Sequence, residues 1–183
     1  MMKKSFAALL GLSALVAAPV AAQVTVNASA SITVPAVLSL NVTNTAVGFA
    51  APTATEYNQG YAAQNTAASV VSHSGNVRHD VRIWTDVANM TGSAGTFVSD
   101  PVRANKPVSD LLWSTDAFAT SSHPLTQSAT AAAATGADQV LVSQAARGVY
   151  NNSNTITFRM NLSYANDTPG TYSVNFFYTA IAN

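Results

Sequence analysis

Cysteine is absent from this chain of 183 residues, so disulfides, zinc–thiolate sites and iron–sulfur clusters are excluded. Charged residues are also scarce, at 9% of the chain against about 25% in typical soluble domains. The polar surface must therefore consist mainly of Ser, Thr, Asn and Gln side chains, and hydrophobic packing alone must hold the core. Such a neutral surface offers little charge repulsion against self-association.

The chain also lacks an apolar run long enough to span a membrane as a helix. Its most apolar stretch, residues 6–16, is shorter than the roughly 18 residues that a membrane span needs. Lys3 and Lys4 precede this stretch, and the small residues Val20-Ala21-Ala22 follow it. This arrangement predicts a signal peptide, residues 1–22, that is removed before Gln23. We therefore expect an exported protein of the periplasm, the cell surface or the extracellular medium, with no transmembrane segment in its mature form.

Removal of residues 1–22 leaves 161 residues, which is the size of one domain. It also removes two of the eight basic residues, so six Lys and Arg remain beside eight Asp and Glu, a net charge of −2. Nucleic acids are bound by clustered Lys and Arg side chains that neutralise phosphates. This composition provides no such cluster, and nucleic acid is not an expected partner.

Apolar and polar residues alternate strictly at the start of the predicted mature chain. A period of two is typical of a β-strand with one covered face. The strand can pair within its own domain or lie in a groove of a neighbouring copy, and the sequence leaves both alternatives open. In either case we expect β-structure to cover its apolar face. The apolar members of this donor or edge strand are Val24, Val26, Ala28, Ala30, Ile32 and Val34.

Similar alternation recurs along the rest of the chain and predicts further strands. A Ser74-Gly75-Asn76 turn is expected to join two of them as a hairpin. Asp167-Thr168-Pro169-Gly170 has the residues of a type II turn and is expected to join the last two strands as another hairpin. The predicted strands cover residues 38–42, 47–49, 68–72, 77–83, 111–113, 140–142, 155–164 and 172–179.

About eight short strands, frequent turn residues and almost no helical periodicity predict the fold class. We expect an all-β, antiparallel β-sandwich that is immunoglobulin-like or pilin-like, with a closed barrel as the alternative. It should form a single domain over residues 23–183, with long loops near 50–66, 86–110 and 114–137.

No arrangement of residues predicts catalysis, a metal site or a cofactor. His79 and Asp80 are neighbours on a predicted strand and should point to opposite faces, which predicts a half-buried His79 and a solvated Asp80. No G-x-S-x-G motif is present, and the Asp residues lack the spacing of a calcium loop. We therefore expect a protein that is not an enzyme.

Two tyrosines in the first long loop are the candidate ligand contacts. Tyr57 and Tyr61 could stack on a sugar ring, whereas Trp113 follows two leucines and is expected in the core. Carbohydrate is therefore the ligand class that these loop residues suggest.

Two segments give the chain a family resemblance. The alternating strand 24–34 leads into Val37-Leu38-Ser39-Leu40, and Asp167-Thr168-Pro169-Gly170-Thr171-Tyr172-Ser173 precedes an alternating final strand. With these features the chain resembles secreted bacterial β-sandwich subunits of the spore-coat-U and fimbrial type. The resemblance implies an incomplete sandwich whose groove accepts the N-terminal strand of the next subunit.

Two functions are therefore expected as alternatives. The first is a non-enzymatic structural subunit of a surface appendage or extracellular matrix, which binds copies of itself or sister subunits by β-strand addition. The second is a monomeric cell-surface binding module or adhesin that recognises carbohydrate or a surface partner through its loops.

Overall fold

The computed structural model describes residues 29–94, 106–167 and 169–183. Strands make up 44% of the chain and helices 7%, which confirms the all-β antiparallel sandwich. Residues 35–183 form one compact unit, and residues 29–34 belong to a separate one. The strands are β1 (Leu38–Thr43), β2 (Tyr61–Ala63), β3 (Ser69–Gly75), β4 (His79–Trp84), β5 (Thr91–Ala94), β6 (Leu111–Ser114), β7 (His123–Pro124), β8 (Val140–Ala145), β9 (Gly148–Asn161), β10 (Gly170–Ser173) and β11 (Phe177–Ala182).

Two sheets and a two-stranded ribbon make up the compact unit. The larger sheet has the order β1-β3-β9-β6-β7, and β2 also pairs with β9. The smaller sheet has the order β11-β4-β8, and β5 pairs with β10 in the ribbon. All ladders between these described strands are antiparallel. The strands β1 and β11 each lie at an edge of their sheet.

The core lies where alternate residues of the two sheets meet. Trp113, as expected, is buried there, and its indole N–H donates to the carbonyl oxygen of Asp138 at 3.1 Å. Burial of a large apolar side chain of this kind stabilises the fold by about 1.5–3 kcal/mol. The buried apolar residues of this cluster are Val71, Val81, Ile83, Met90, Val108, Leu111, Trp113, Leu125, Ile156 and Phe158.

The predicted hairpin around Ser74-Gly75-Asn76 is wrong. The strands on either side of this turn, β3 and β4, lie in different sheets, since β3 pairs with β1 and β9 whereas β4 pairs with β8 and β11. Asn76 instead holds the chain before β1: its side chain accepts from the Val37 N–H at 2.7 Å and donates to the Pro35 carbonyl at 2.7 Å. A turn motif determines the local direction of the chain but not whether the next strand stays in the same sheet.

The predicted C-terminal hairpin is wrong for the same reason. The strand β9 ends at Asn161 in the larger sheet, while β10 pairs with β5 and β11 pairs with β4. The chain therefore changes sheet between β9 and β11, as it also does between β8 and β9. Such changes let alternating strands bury their apolar faces against the opposite sheet.

The three stretches predicted as long loops contain short regular elements. Residues 50–66 hold β2 and a helix, α1 (Ala54–Gln59), whose N-terminus carries a capping box between Thr53 and Glu56. Residues 86–110 hold β5 and a 3₁₀ turn (Val108–Asp110), and residues 114–137 hold β7. The short piece predicted at 47–49 is not a strand, although Val47 and Phe49 pack against the core.

Candidate functional site

The edge strands β1 and β11 lie beside each other without pairing. Some of their Cα atoms lie within 8 Å of each other. β1 forms a ladder with β3 and β11 with β4, and within the described residues no ladder joins β1 to β11. Among the described residues, the outer edges of β1 and β11 therefore form no ladder, and an unpaired strand edge is a template for another strand.

Apolar side chains on and beside these two strands are only half-buried. On β1, Leu38, Leu40 and Val42 are partly buried and alternate with exposed polar residues. The ring of Phe176, just before β11, lies 5.3 Å from the ring of the buried Phe158. We call these two strand edges, with the half-buried apolar side chains on and beside them, the edge groove. Its half-buried side chains that pack against the core are Leu40, Val42, Val47, Phe49, Val174, Phe176 and Tyr178.

The pKa of Tyr178 reflects how apolar this region is. Burial raises the pKa of the Tyr178 phenol to about 12, because a phenolate there would lose its hydration. The floor of the edge groove therefore disfavours charge and suits apolar side chains.

The predicted donor or edge strand lies partly outside the described residues. Val24, Val26 and Ala28 fall there, whereas Ala30, Ile32 and Val34 are described and belong to no strand. Ile32 and Val34 are 86% and 68% exposed. In the single chain, residues 29–34 belong to no strand, and the pairing of this segment stays a prediction. A strand needs a ladder partner to be stable in water, and residues 29–34 have none in the part of the chain that the structure describes.

The structure does not bring the two candidate sugar-binding tyrosines together into one site. Tyr57 lies on α1 and stacks on Tyr164, with ring centroids 4.7 Å apart. Tyr61 lies on β2, where its ring covers the guanidinium of Arg159 at 4.4 Å. Tyr57 also lines a cleft of about 380 Å³ together with Phe49 and Tyr172. The two tyrosines thus belong to separate surfaces.

A buried histidine pair escaped the sequence interpretation. His73 Nδ1 lies 2.9 Å from His79 Nε2, and both side chains are buried. The prediction of a half-buried His79 is therefore wrong, because this side chain is fully buried. The signal that could have revealed the pair is that both histidines fall on the apolar phase of their strands.

The prediction that Asp80 is solvated is also wrong. Its carboxylate is 3.0 Å from the Arg82 guanidinium and accepts from Asn183 Nδ2 at 2.6 Å and from the Gln144 N–H at 2.8 Å. These hydrogen bonds and the charge of Arg82 lower the pKa of Asp80, against the opposing effect of its desolvation. Arg82 in turn donates to the carbonyls of Ala131 and Ala132. Residues from the long 114–137 stretch therefore cover the outer face of β4.

Four further acidic side chains make local contacts. Lys106 is buried between Asp167, at 2.7 Å, and Asp110, at 3.1 Å. Glu56 caps α1, and Asp138 lies 3.1 Å from His123 Nδ1. In the part of the chain that the structure describes, no group of three or more His, Asp or Glu could hold a metal ion.

No helix among the described residues is both long and apolar enough to cross a membrane.

No family model matches the chain, and no curated protein matches it either.

Proposed function

We propose that this protein is a non-enzymatic, exported structural subunit of a surface appendage or extracellular matrix, whose copies assemble by β-strand addition. The observation that carries the proposal is the edge groove, two unpaired strand edges flanked by half-buried apolar side chains. In strand addition, main-chain hydrogen bonds give affinity and alternate side chains fill successive pockets.

The N-terminal segment of a second copy could supply a strand with alternate apolar side chains to the unpaired edges of the edge groove. Its eleven residues from Val24 to Val34 would extend over about 36 Å as a strand, which is longer than the six residues of β1. Ile32 and Val34 are exposed in the single chain, so their burial in a neighbour would be a net gain. At about 1.5–3 kcal/mol for each fully buried side chain, these two residues alone would contribute several kcal/mol.

Exposure of Ile32 and Val34 favours pairing between copies over pairing within one chain. A segment that pairs within its own sheet would bury these residues in the isolated chain. A segment that pairs with a neighbour leaves them exposed until the neighbour binds.

Deletion and peptide addition test the proposal. The predicted mature protein, residues 23–183, should form higher-order species in gel filtration and electron microscopy, and a variant without residues 23–34 should remain monomeric. A synthetic peptide of residues 24–34 should then bind the deletion variant and raise its melting temperature. At a peptide concentration of 100 Kd, the expected stabilisation is about 2.7 kcal/mol.

Point variants provide the matched control. Ile32→Asp places a charge on the apolar phase and should abolish assembly, whereas Thr33→Asp places the same charge on the opposite face and should preserve it. If both variants assemble as the parent does, or if the parent remains monomeric at high concentration, the proposal is wrong.

A monomeric adhesin is the second candidate, because the Tyr57–Tyr164 stack borders a cleft of about 380 Å³. The exposed ring of Tyr164 and the cleft beside it could receive a sugar. A glycan array probed with the monomeric deletion variant, and with the same protein carrying Tyr57→Ala, tests this function. Binding that the substitution removes would support it, and an array without signal would exclude these sugars as ligands.

A further inference from the structure

The guanidinium of Arg159 is held between two aromatic rings on the surface of the larger sheet. Its central carbon lies 4.4 Å from the ring centroid of Tyr61 and 4.3 Å from that of Phe118. These two cation–π contacts restrain the group and leave its N–H groups available for hydrogen bonds. Arg159 is therefore a positioned cation rather than a freely moving surface arginine.

The turn that carries Phe118 is built in an unfavourable backbone conformation. Ala117 and Phe118 have φ values of 55° and 64°, a left-handed region that favours glycine. The carboxylate of Asp116 holds the turn by accepting from the backbone N–H groups of Thr120 and Ser121. Hydrogen bonds from the Ser114 and Thr120 hydroxyls, above all, hold the pKa of Asp116 well below its usual range. The fold thus maintains a strained turn that places an aromatic ring over Arg159.

A pocket of about 200 Å³ opens beside this clamped guanidinium. Arg159 lines it together with the hydroxyl residues Thr120, Ser121 and Ser122 and the amide of Asn161. The edge N–H groups of Arg159 have no hydrogen-bond acceptor and no ion-pair partner among the described residues. The nearby Asp116 carboxylate is already occupied by donors from its own turn.

We propose that this pocket binds the carboxylate of an acidic sugar, such as a uronate unit of a polysaccharide. A guanidinium edge matches a carboxylate with two parallel hydrogen bonds. The hydroxyl and amide groups around it suit a ligand with several hydroxyls. The volume is below the roughly 300–1,000 Å³ of pockets for drug-sized ligands, so it suits a single ring. This site is independent of the edge groove and does not depend on assembly.

Calorimetric and NMR titration of the purified protein with D-glucuronate tests the site. D-glucose lacks the carboxylate, and L-glutamate carries carboxylates without a sugar ring. We expect glucuronate to bind at least tenfold more tightly than either compound and to shift the resonances of residues around Arg159. Arg159→Gln should weaken glucuronate binding at least tenfold, whereas the matched control Arg147→Gln, at an exposed arginine on another turn, should leave it unchanged.

Two further variants keep the test decisive if Arg159→Gln folds poorly. Arg159→Lys keeps the charge but loses the planar edge, and it should also weaken binding. Phe118→Asn removes one ring while retaining a residue that tolerates the left-handed conformation, and it should weaken binding without unfolding the turn. Equal binding of glucuronate and glucose, equal binding of glutamate, or unchanged binding in all three variants would overturn the proposal.

Discussion

The His73–His79 pair should make the protein sensitive to mild acid. His79 Nδ1 lies 3.1 Å from the carbonyl oxygen of Val77. Because a carbonyl oxygen can only accept, Nδ1 must carry a proton and donate to it. His79 Nε2 must then accept, and His73 Nδ1, 2.9 Å away, must donate. These hydrogen bonds therefore assign a donor and an acceptor role to the nitrogens of the two buried rings.

The direction of the pKa shift determines whether acid stabilises or destabilises the fold. Burial, and then the neighbouring His79, lower the pKa of His73 below its ordinary value of 6.5. Below pH 6.5 the unfolded chain therefore binds a proton that the folded chain excludes, so folding loses stability as the pH falls. The loss approaches about 1.4 kcal/mol per pH unit while the folded ring remains neutral. Above pH 6.5 the contribution is fully present.

Urea unfolding followed by tryptophan fluorescence at pH 7.5, 6.5 and 5.5 measures this loss. His73→Gln retains an N–H donor for His79 but cannot titrate. Its free energy of unfolding should fall less between pH 6.5 and 5.5 than that of the parent. His123→Gln, at the third and half-exposed histidine, is the matched control and should retain the steeper dependence. If the parent and His73→Gln lose stability in parallel, the buried pair is not the source of the acid sensitivity.

Three substitutions test the packing that surrounds the edge groove and the core. Gly75→Ala would place a Cβ 2.6 Å from Leu38 Cδ2 and 3.1 Å from the backbone oxygen of Val37, so it should displace β1 and cost about 1–3 kcal/mol in urea unfolding. Lys106→Met would leave the buried Asp167 without its ion pair and should cost about 3–5 kcal/mol, unless the carboxyl takes up a proton, which would appear as recovery at low pH. Phe158→Ala removes a buried ring from the centre of the core and should lower the free energy of unfolding by about 3–5 kcal/mol, with a smaller loss if neighbouring side chains fill the cavity.

The sequence predicted most strand positions because one covered face imposes a period of two. The alternation over residues 155–164 corresponds to the second half of β9, and that over 77–83 corresponds to β4. It did not predict pairing partners, because the pattern says which face is covered and nothing about which neighbour covers it. Both expected hairpins failed for this reason. The same limit hid the burial of Asp80 and Arg82, since the carbonyls that cover Arg82 come from residues about fifty positions later in the chain.

The edge groove could not be predicted from the sequence for a further physical reason. A strand edge is unpaired only relative to the complete fold, and no residue of β1 or β11 encodes that its outer side remains free. The segment that would fill the groove was visible in the sequence because its alternation needs no partner to be recognised. In the single chain, Ile32 and Val34 nevertheless remain exposed while Leu40, Val42 and Phe176 remain half-buried. In the proposed assembly, the N-terminal segment of a second copy would lie against the edge groove and cover both sets of side chains.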